Sequence, residues 1–160
     1  LLIGFAGGFR RSELVSIEYD DVDFVPEGVK ILIKRSKTDQ SGEGILKAIP
    51  YFDNQEFCPV VTLKKFINYK TNTNKQEKVF KISDKSVALI IKKYATKAGL
   101  DSTKYAGHSL RSGFATTAAE FGAEERNIMA MTGHKTTQMV RRYIHEANLF
   151  KNNALNKIKI

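Results

Sequence analysis

The sequence predicts an α+β fold that is mainly helical, with a small three-stranded antiparallel sheet near the N-terminus. Apolar residues recur at helical spacing over most of the chain, but between residues 22 and 51 the hydrophobic period changes to two. A length of 160 residues with 42% hydrophobic residues is sufficient for one domain with a single core. We therefore expect one α-rich domain, over residues 1–160, with the sheet inserted near its start.

The N-terminal third is predicted to hold two short helices and the sheet. Residues 1–7 have the pattern of the end of a buried helix that stops at Gly7 and Gly8, and residues 10–17 have that of a second helix. Three predicted strands follow, over residues 22–24, 29–33 and 45–51. The hairpin between the last two strands is long, polar and basic.

Five further helices are predicted in the rest of the chain, over residues 60–69, 85–98, 108–121, 124–131 and 136–148. Asp84 is the predicted N-cap of the second of these helices. Gly99, Gly122 and Gly133 each follow a helical segment, which is typical of helix C-termini.

The net charge of +9 is distributed unevenly. Residues 1–60 carry 7 Lys/Arg against 10 Asp/Glu, residues 61–107 carry 11 against 3, and residues 108–160 carry 8 against 4. A basic body of this kind favours a polyanionic partner, nucleic acid before a membrane. No apolar run approaches the roughly 20 residues of a membrane span. The single cysteine, Cys58, excludes an internal disulfide and fits a reducing, cytoplasmic compartment.

Four polar residues in the C-terminal half form the most informative pattern. His108 and Arg111 are three residues apart at the start of a helix and share one face, where a phosphate would also meet backbone N–H groups. His134 follows Gly133 at a helix break, and Tyr143 lies nine residues further on. Each has an ordinary alternative: a helix-terminal histidine with a surface cation, a capping histidine, a core aromatic. Together they suggest a phenol that attacks a phosphodiester.

Two upstream residues could complete such a site. Arg10 opens the second predicted helix, and Glu13 one turn later could hold its guanidinium as a phosphate clamp, although adjacent arginines are usually a solvated pair. Lys37 lies on the basic hairpin, which also offers Lys34 and Lys47.

These motifs together resemble the catalytic domain of the tyrosine recombinases, the phage integrase family. The match spans residues 1 to about 150 and includes Phe-Arg-Arg-Ser-Glu-Leu, Arg-Ser-Lys-Thr, His-x-x-Arg, Thr-Gly-His and the later tyrosine. The resemblance implies the helical catalytic-domain fold of DNA breaking-rejoining enzymes. It also implies that the chain is the C-terminal part of a larger protein, without the N-terminal core-binding domain.

The resemblance implies a role for each matched residue. Tyr143 is the nucleophile that forms a 3′-phosphotyrosine, and Arg10 and Arg111 clamp the phosphate. His134 donates a further hydrogen bond, His108 accepts the tyrosine proton and Lys37 protonates the leaving 5′-oxygen. Glu13 is an accessory acidic residue. No metal or cofactor is expected, because no acidic cluster has the spacing of Mg²⁺ ligands.

The implied function is site-specific recombination or integration of double-stranded DNA by a bacterial or mobile-element protein. The full-length protein would act as a tetramer, with residues 149–160 either passed to a neighbouring subunit or packed on their own domain. The basic residues proposed to contact DNA are Lys34, Arg35, Lys92, Lys93, Arg141 and Arg142. Two alternatives stay open: relaxation of DNA by a type IB topoisomerase, and a DNA-binding fragment that is inactive without its N-terminal domain.

Overall fold

The computed structural model describes residues 1–34, 44–69, 74–151 and 153–158. Within these ranges the fold is mainly helical with one three-stranded sheet, so the predicted class is confirmed. The α-helices are α1 (Leu2–Ala6), α2 (Arg11–Ser16), α3 (Pro59–Asn68), α4 (Asp84–Lys97), α5 (Ser109–Glu120), α6 (Glu125–Thr132) and α7 (Thr137–Asn148). Short 3-10 turns lie at Tyr19–Asp21, Ser102–Lys104 and Ala154–Lys157. None of the described helices has the length and apolar character needed to cross a membrane.

The sheet is antiparallel throughout, in the order β1-β2-β3. Its strands are β1 (Val22–Val25), β2 (Gly28–Ile33) and β3 (Ile45–Pro50). Because successive side chains of a strand point to opposite faces, Val29, Ile31 and Ile33 of β2 enter the core together. In β3 the same alternation buries Lys47 and Ile49, while Leu46 is 63% exposed. A lysine therefore occupies a core-facing position of the sheet.

Two apolar clusters hold the helices together. The larger one joins the sheet to α1, α2, α3 and α4, and includes Phe9, Ile31, Ile49, Val60 and Ile91. The smaller one consists of Ala115, Ala119, Ile128 and Val140, and it packs α5 against α6 and α7. Helix α1 packs against α5, which brings the N-terminal and C-terminal parts of the chain into contact.

Helices α2 to α7 each begin one residue away from the predicted start, and the starts of α4 and α5 show why. The N-cap of α4 is Ser83, whose hydroxyl accepts a hydrogen bond from the Ser86 N–H at 3.1 Å. The prediction of Asp84 as N-cap was wrong. Serine and aspartate are both common N-cap residues, so the sequence alone does not distinguish Ser83 from Asp84. Asp84 instead lies in the first helical turn, where its carboxylate interacts favourably with the helix dipole. His108 is the N-cap of α5, which begins one residue later than predicted.

The described part of the C-terminal tail exposes its apolar side chains. Leu149, Phe150, Leu155 and Ile158 are each 50% exposed or more. The tail is attached through polar contacts, since the Lys151 ammonium donates to the Glu120 carbonyl oxygen. These apolar residues do not form a core with their own domain, and exchange of the tail between subunits remains a prediction.

Candidate active site

Five of the residues proposed from the sequence line one open pocket of about 520 Å³. They are Arg10, His108, Arg111, His134 and Tyr143. They come from the loop before α2, the start of α5, the turn after α6 and the middle of α7. Lys37 and Arg35 lie outside the described residues.

Arg10 is held at the edge of the pocket by Glu13. The Arg10 backbone N–H donates to Glu13 Oε2 at 2.9 Å, and the guanidinium Nη1 donates to Glu13 Oε1. The second guanidinium nitrogen, Nη2, donates a hydrogen bond of 3.4 Å to the Gly133 carbonyl oxygen. The Glu13 side chain is only 3% exposed, so its carboxylate orients the arginine from inside the protein.

The loop that precedes Arg10 depends on glycine. Gly8 has a φ of +55°, a conformation that side chains other than glycine rarely adopt. A Cβ at Gly7 would lie 2.0 Å from Cε2 of the buried Phe9 ring. Glycine at both positions therefore allows the Phe9 ring to fold back under the loop and places Arg10 over the pocket.

Arg111 is a buried cation that contacts this loop. It is 7% exposed, and its Nη1 donates to the Gly8 carbonyl oxygen at 3.2 Å. Burial, and secondarily the nearby Arg10 charge, lower the Arg111 pKa to about 10. The guanidinium is still positively charged at neutral pH, so the pocket contains two arginine cations.

His134 is positioned by the end of α6. Gly133 ends that helix in the left-handed conformation, with a φ of +63°, and turns the chain toward the pocket. His134 Nδ1 lies 2.7 Å from the Thr132 hydroxyl oxygen. Burial, followed by the charges of Arg111, Arg10 and Lys47, lowers the His134 pKa to about 4, so the ring is neutral near pH 7.

Tyr143 and His108 complete the pocket from α7 and α5. The Tyr143 ring is partly buried against the smaller apolar cluster, and its centroid lies 6.3 Å from that of His134. The side chain of His108 is exposed, and its carbonyl oxygen accepts a hydrogen bond from the Ser112 hydroxyl at 3.0 Å. The Tyr143 ring thus lies near the partly buried His134, while His108 lies at the open side of the pocket.

Lys47 is a buried cation beneath the pocket whose contribution the sequence did not reveal. Its ammonium donates to the carbonyl oxygens of Gly7 and Met131, each at 2.7 Å. It lies 4.5 Å from the centroid of the Phe9 ring and 4.0 Å from Glu13 Oε2. One side chain of β3 thereby connects the Arg10 loop to the end of α6. The available signal was strand alternation, which places Lys47 on the same face as Ile49.

Lys34, the other hairpin lysine among the described residues, forms ion pairs within the protein. The Lys34 ammonium lies 2.6 Å from Glu18 Oε2 and 2.9 Å from Asp21 Oδ1. The hydrogen bonds to Glu18 and Asp21 raise the Lys34 pKa well above its ordinary value. A protonated amine of that kind is a poor proton donor at neutral pH.

The remaining proposed DNA contacts lie on exposed helix surfaces. Lys92 and Lys93 are exposed on α4. Arg141 and Arg142 are exposed on α7, where Arg141 pairs with Glu125 at 3.2 Å and Arg142 pairs with Glu146 at 3.0 Å. Phosphate contacts by these arginines would compete with the existing ion pairs.

The fold and the pocket define a class of protein: a mainly helical domain with a pocket that is lined by arginines and by a tyrosine. Residues 1–149 match the phage integrase family over nearly the whole chain. The chain belongs to the phage integrase family.

Curated relatives give the same result. An integrase/recombinase xerD homolog from Selenomonas ruminantium is 48% identical over an alignment 168 residues long, which covers 99% of this chain and 49% of the relative. Tyrosine recombinase XerA from Pyrococcus horikoshii is 27% identical over 160 residues, covering 100% of this chain and 54% of XerA. The chain therefore spans about half the length of these relatives.

Solved structures share the fold. The crystal structure of XerA recombinase superimposes with a TM-score of 0.71 at 20% identity, covering 99% of this chain and 55% of that one. XerH site-specific recombinase, bound to its palindromic difH substrate in a post-cleavage complex, gives 0.69 at 19% identity, covering 92% and 42%. The predicted helical catalytic-domain fold is thereby confirmed.

Proposed function

We propose that this chain is the catalytic domain of a site-specific DNA recombinase that cleaves and rejoins strands through a 3′-phosphotyrosine. The observation that carries the proposal is the meeting of Arg10, Arg111, His134 and Tyr143 around one pocket, in a member of the phage integrase family. The relatives named as recombinases, and the XerH complex with its DNA substrate, support it.

The two arginines provide the electrostatic part of the mechanism. A phosphodiester in the pocket would place its non-bridging oxygens between Arg10 and Arg111, which are oriented beforehand by Glu13 and by the Gly8 carbonyl. Charge that develops on these oxygens in the transition state is then stabilised without reorganisation of the protein. Removing one such donor typically costs about 10²–10³ in rate.

The covalent step exchanges one phosphate ester for another. The Tyr143 oxygen bonds to phosphorus as the bond to the 5′-oxygen breaks, and a histidine of the pocket accepts the phenol proton. The leaving 5′-oxygen takes a proton from Lys37, and a second 5′-hydroxyl can later reverse the reaction. Lys34 and Lys47 hold protein partners instead, which supports Lys37 as the acid of the hairpin.

We infer the partners and location from the same chemistry. The substrate is double-stranded DNA, and two duplexes require four catalytic domains, so the full-length protein acts as a tetramer. The exposed apolar tail at Leu149, Phe150, Leu155 and Ile158 is a candidate contact between subunits. Because its substrate is DNA, the protein, encoded by a bacterium or by a mobile element, acts in the cytoplasm.

Covalent trapping tests the proposal. A nicked duplex that carries the element's own end loses the short 5′-hydroxyl strand after cleavage, so the phosphotyrosine cannot be reversed. We expect a protein–DNA adduct that survives denaturation with wild type and with Tyr94→Phe, which removes an exposed phenol hydroxyl as a matched control, but not with Tyr143→Phe. The assay uses this chain and, in parallel, the longest native protein that contains it. An adduct with Tyr143→Phe would refute the nucleophile.

Strand exchange distinguishes recombination from relaxation. Two duplexes with different end labels give joint products if the enzyme is a recombinase. Relaxation of supercoiled DNA without any joint product would instead identify topoisomerase activity.

A further inference from the structure

A further arginine lies on the rim of the pocket. Arg11 is the first residue of α2, directly after Arg10, and its side chain lines the pocket together with Gly107 and His108. Arg10 and Arg111 are held by acceptors of the protein, whereas the Arg11 side chain is 46% exposed. Arginine stays protonated at neutral pH, so a further cation is accessible from the pocket.

Two contacts fix the Arg11 side chain. Its Nε lies 3.3 Å from Oδ2 of Asp84, a residue in the first turn of α4. Its aliphatic part passes close to the backbone of Gly107, because a Cβ there would lie only 2.7 Å from Arg11 Cδ. A glycine directly before His108 therefore leaves the space that the arginine needs along the wall of the pocket.

The outer edge of the Arg11 guanidinium is available to a ligand. An arginine has five N–H donors in one plane, and the closest contact with Asp84 is made by the one on Nε. In the described part of the chain, no hydrogen-bond acceptor engages Nη1 or Nη2. An exposed ion pair of this kind contributes little to stability. The remaining N–H groups have the planar arrangement that matches two oxygens of a phosphate.

The pocket has room for more of a DNA strand than one phosphate. A phosphate group takes the place of only a few water molecules, each of about 30 Å³, and the pocket has a volume of about 520 Å³. Among the described residues that line it, none is acidic. A strand whose scissile phosphate lies between Arg10 and Arg111 can therefore place a neighbouring phosphate at the rim, where Arg11 lies.

We propose that Arg11 binds a phosphate next to the scissile one on the same strand, through Nη1 and Nη2, while Asp84 holds its Nε. This proposal rests on the proposed function. The contact is the same before and during the chemical step, so it strengthens DNA binding and positions the strand without taking part in the bond changes. Arg11 is thus a binding residue of the active site, although adjacent arginines in a sequence are typical of a solvated pair.

The salt dependence of DNA binding tests whether Arg11 contacts a phosphate. Arg11→Gln should weaken binding about tenfold at about 100 mM salt, and should flatten the slope of log K against log salt concentration by about 0.9. Arg126→Gln is the matched control, because Arg126 is an exposed arginine that pairs with Glu124 away from the pocket. Fluorescence anisotropy with a labelled duplex that carries the element's own end measures both the affinity and the slope.

Asp84→Asn separates a phosphate contact from a purely structural ion pair. This variant breaks the same ion pair but keeps the arginine, so it should keep the wild-type slope. Equal slopes in wild type and Arg11→Gln would overturn the proposal. Equal flattening in Arg11→Gln and Asp84→Asn would also overturn it, because the ion pair would then account for the effect.

Neutral phosphates locate the contact. A methylphosphonate replaces one charged oxygen of a phosphate by a methyl group, and it is placed in turn on either side of the scissile phosphate. At one of these two positions, we expect Arg11→Gln and wild type to bind the modified duplex equally, because the contact is already lost. A tenfold difference that persists at both positions would overturn the assignment to a neighbouring phosphate.

Adduct formation relates the contact to the reaction. On the nicked duplex, the DNA concentration for half-maximal adduct formation should rise about tenfold in Arg11→Gln and stay at the wild-type value in Arg126→Gln. An unchanged concentration in Arg11→Gln would overturn the proposal. Absence of any adduct in wild type would instead refute the proposed function, and the salt slopes would still decide whether Arg11 binds a phosphate.

Discussion

Lys47 is one residue on which several parts of the pocket depend. Its ammonium bonds to Gly7 and Met131, which lie 40 and 84 residues away in the sequence. Its charge also contributes to the lowered pKa of His134. A buried cation of this kind is costly to desolvate and is stabilised here by carbonyl oxygens and Glu13.

The Lys47 pKa predicts a dependence of stability on pH. Burial lowers this pKa from 10.5 to about 8, so between pH 8 and 10.5 the unfolded chain binds more protons than the folded one. The free energy of unfolding contributed by Lys47 therefore rises with pH across that window, by about 3 kcal/mol in total. Denaturant titrations from pH 7 to 10 should show wild type gaining stability relative to Lys47→Met. A difference in unfolding free energy that stays constant with pH would contradict the lowered pKa of Lys47. Lys30 is exposed on β2, so Lys30→Met is the control for the general effect of removing a lysine.

Lys37 can be tested by changing the leaving group. Lys37→Ala should slow cleavage of an ordinary nicked duplex, because the 5′-alkoxide is a strongly basic leaving group. Replacing the scissile 5′-oxygen by sulfur should restore the rate, since a thiolate leaves without a proton. Lys34→Ala is the matched control and should cleave both substrates normally, because its ammonium is already paired with Glu18 and Asp21. Failure of sulfur to rescue Lys37→Ala would remove Lys37 as the acid.

At the scale of elements, hydrophobic periodicity was sufficient to predict the helices and strands, but not which side chains they bring together. The change of period near residue 22 located the sheet, and glycines located several helix ends. The caps were less certain, because Ser83 and Asp84 are both suitable and only the hydrogen bond to Ser86 distinguishes them.

The site was predictable to the extent that it has a motif. Arg10, Arg111, His134 and Tyr143 were proposed from residue patterns and meet in one pocket. The contacts of Lys47 and Thr132 were not predicted, because their partners are backbone carbonyls and a ring nitrogen whose positions only folding determines.

The turn after α6 gives a prediction at this scale. Gly133 adopts a φ of +63°, and a Cβ there would make only ordinary contacts, at 3.7 Å from Ile45 Cδ1. Gly133→Ala should therefore cost about 1–2 kcal/mol of unfolding free energy through its backbone alone. Gly99→Ala, after α4, has a similar φ of +73° and no neighbour within 4 Å, so it should cost the same. Only Gly133→Ala should slow adduct formation, because His134 follows it. Equal cleavage by both variants would show that the turn does not position the histidine.

At the scale of the whole molecule, part of the positive charge is paired with acidic side chains of the same protein. Lys34, Arg141 and Arg142 each pair with an acidic side chain. Lys92 and Lys93 are exposed on α4 and form no ion pair within the described part of the chain. The charge available to a polyanion is therefore distributed differently from the charge counted in the sequence.

This distribution predicts how DNA binding responds to salt. Removing one lysine that binds a phosphate should reduce the slope of log K against log salt concentration by about 0.9. We expect the double variant Lys92→Gln/Lys93→Gln to weaken binding and flatten the slope, by up to about 1.8 if both lysines bind phosphates. Lys34→Gln is the matched control and should leave the slope unchanged, because its ammonium is held by Glu18 and Asp21. Fluorescence anisotropy with a labelled duplex between about 50 and 300 mM salt measures both the affinity and its salt slope. A flatter slope for Lys34→Gln alone would place the DNA against the hairpin side of the molecule instead of α4.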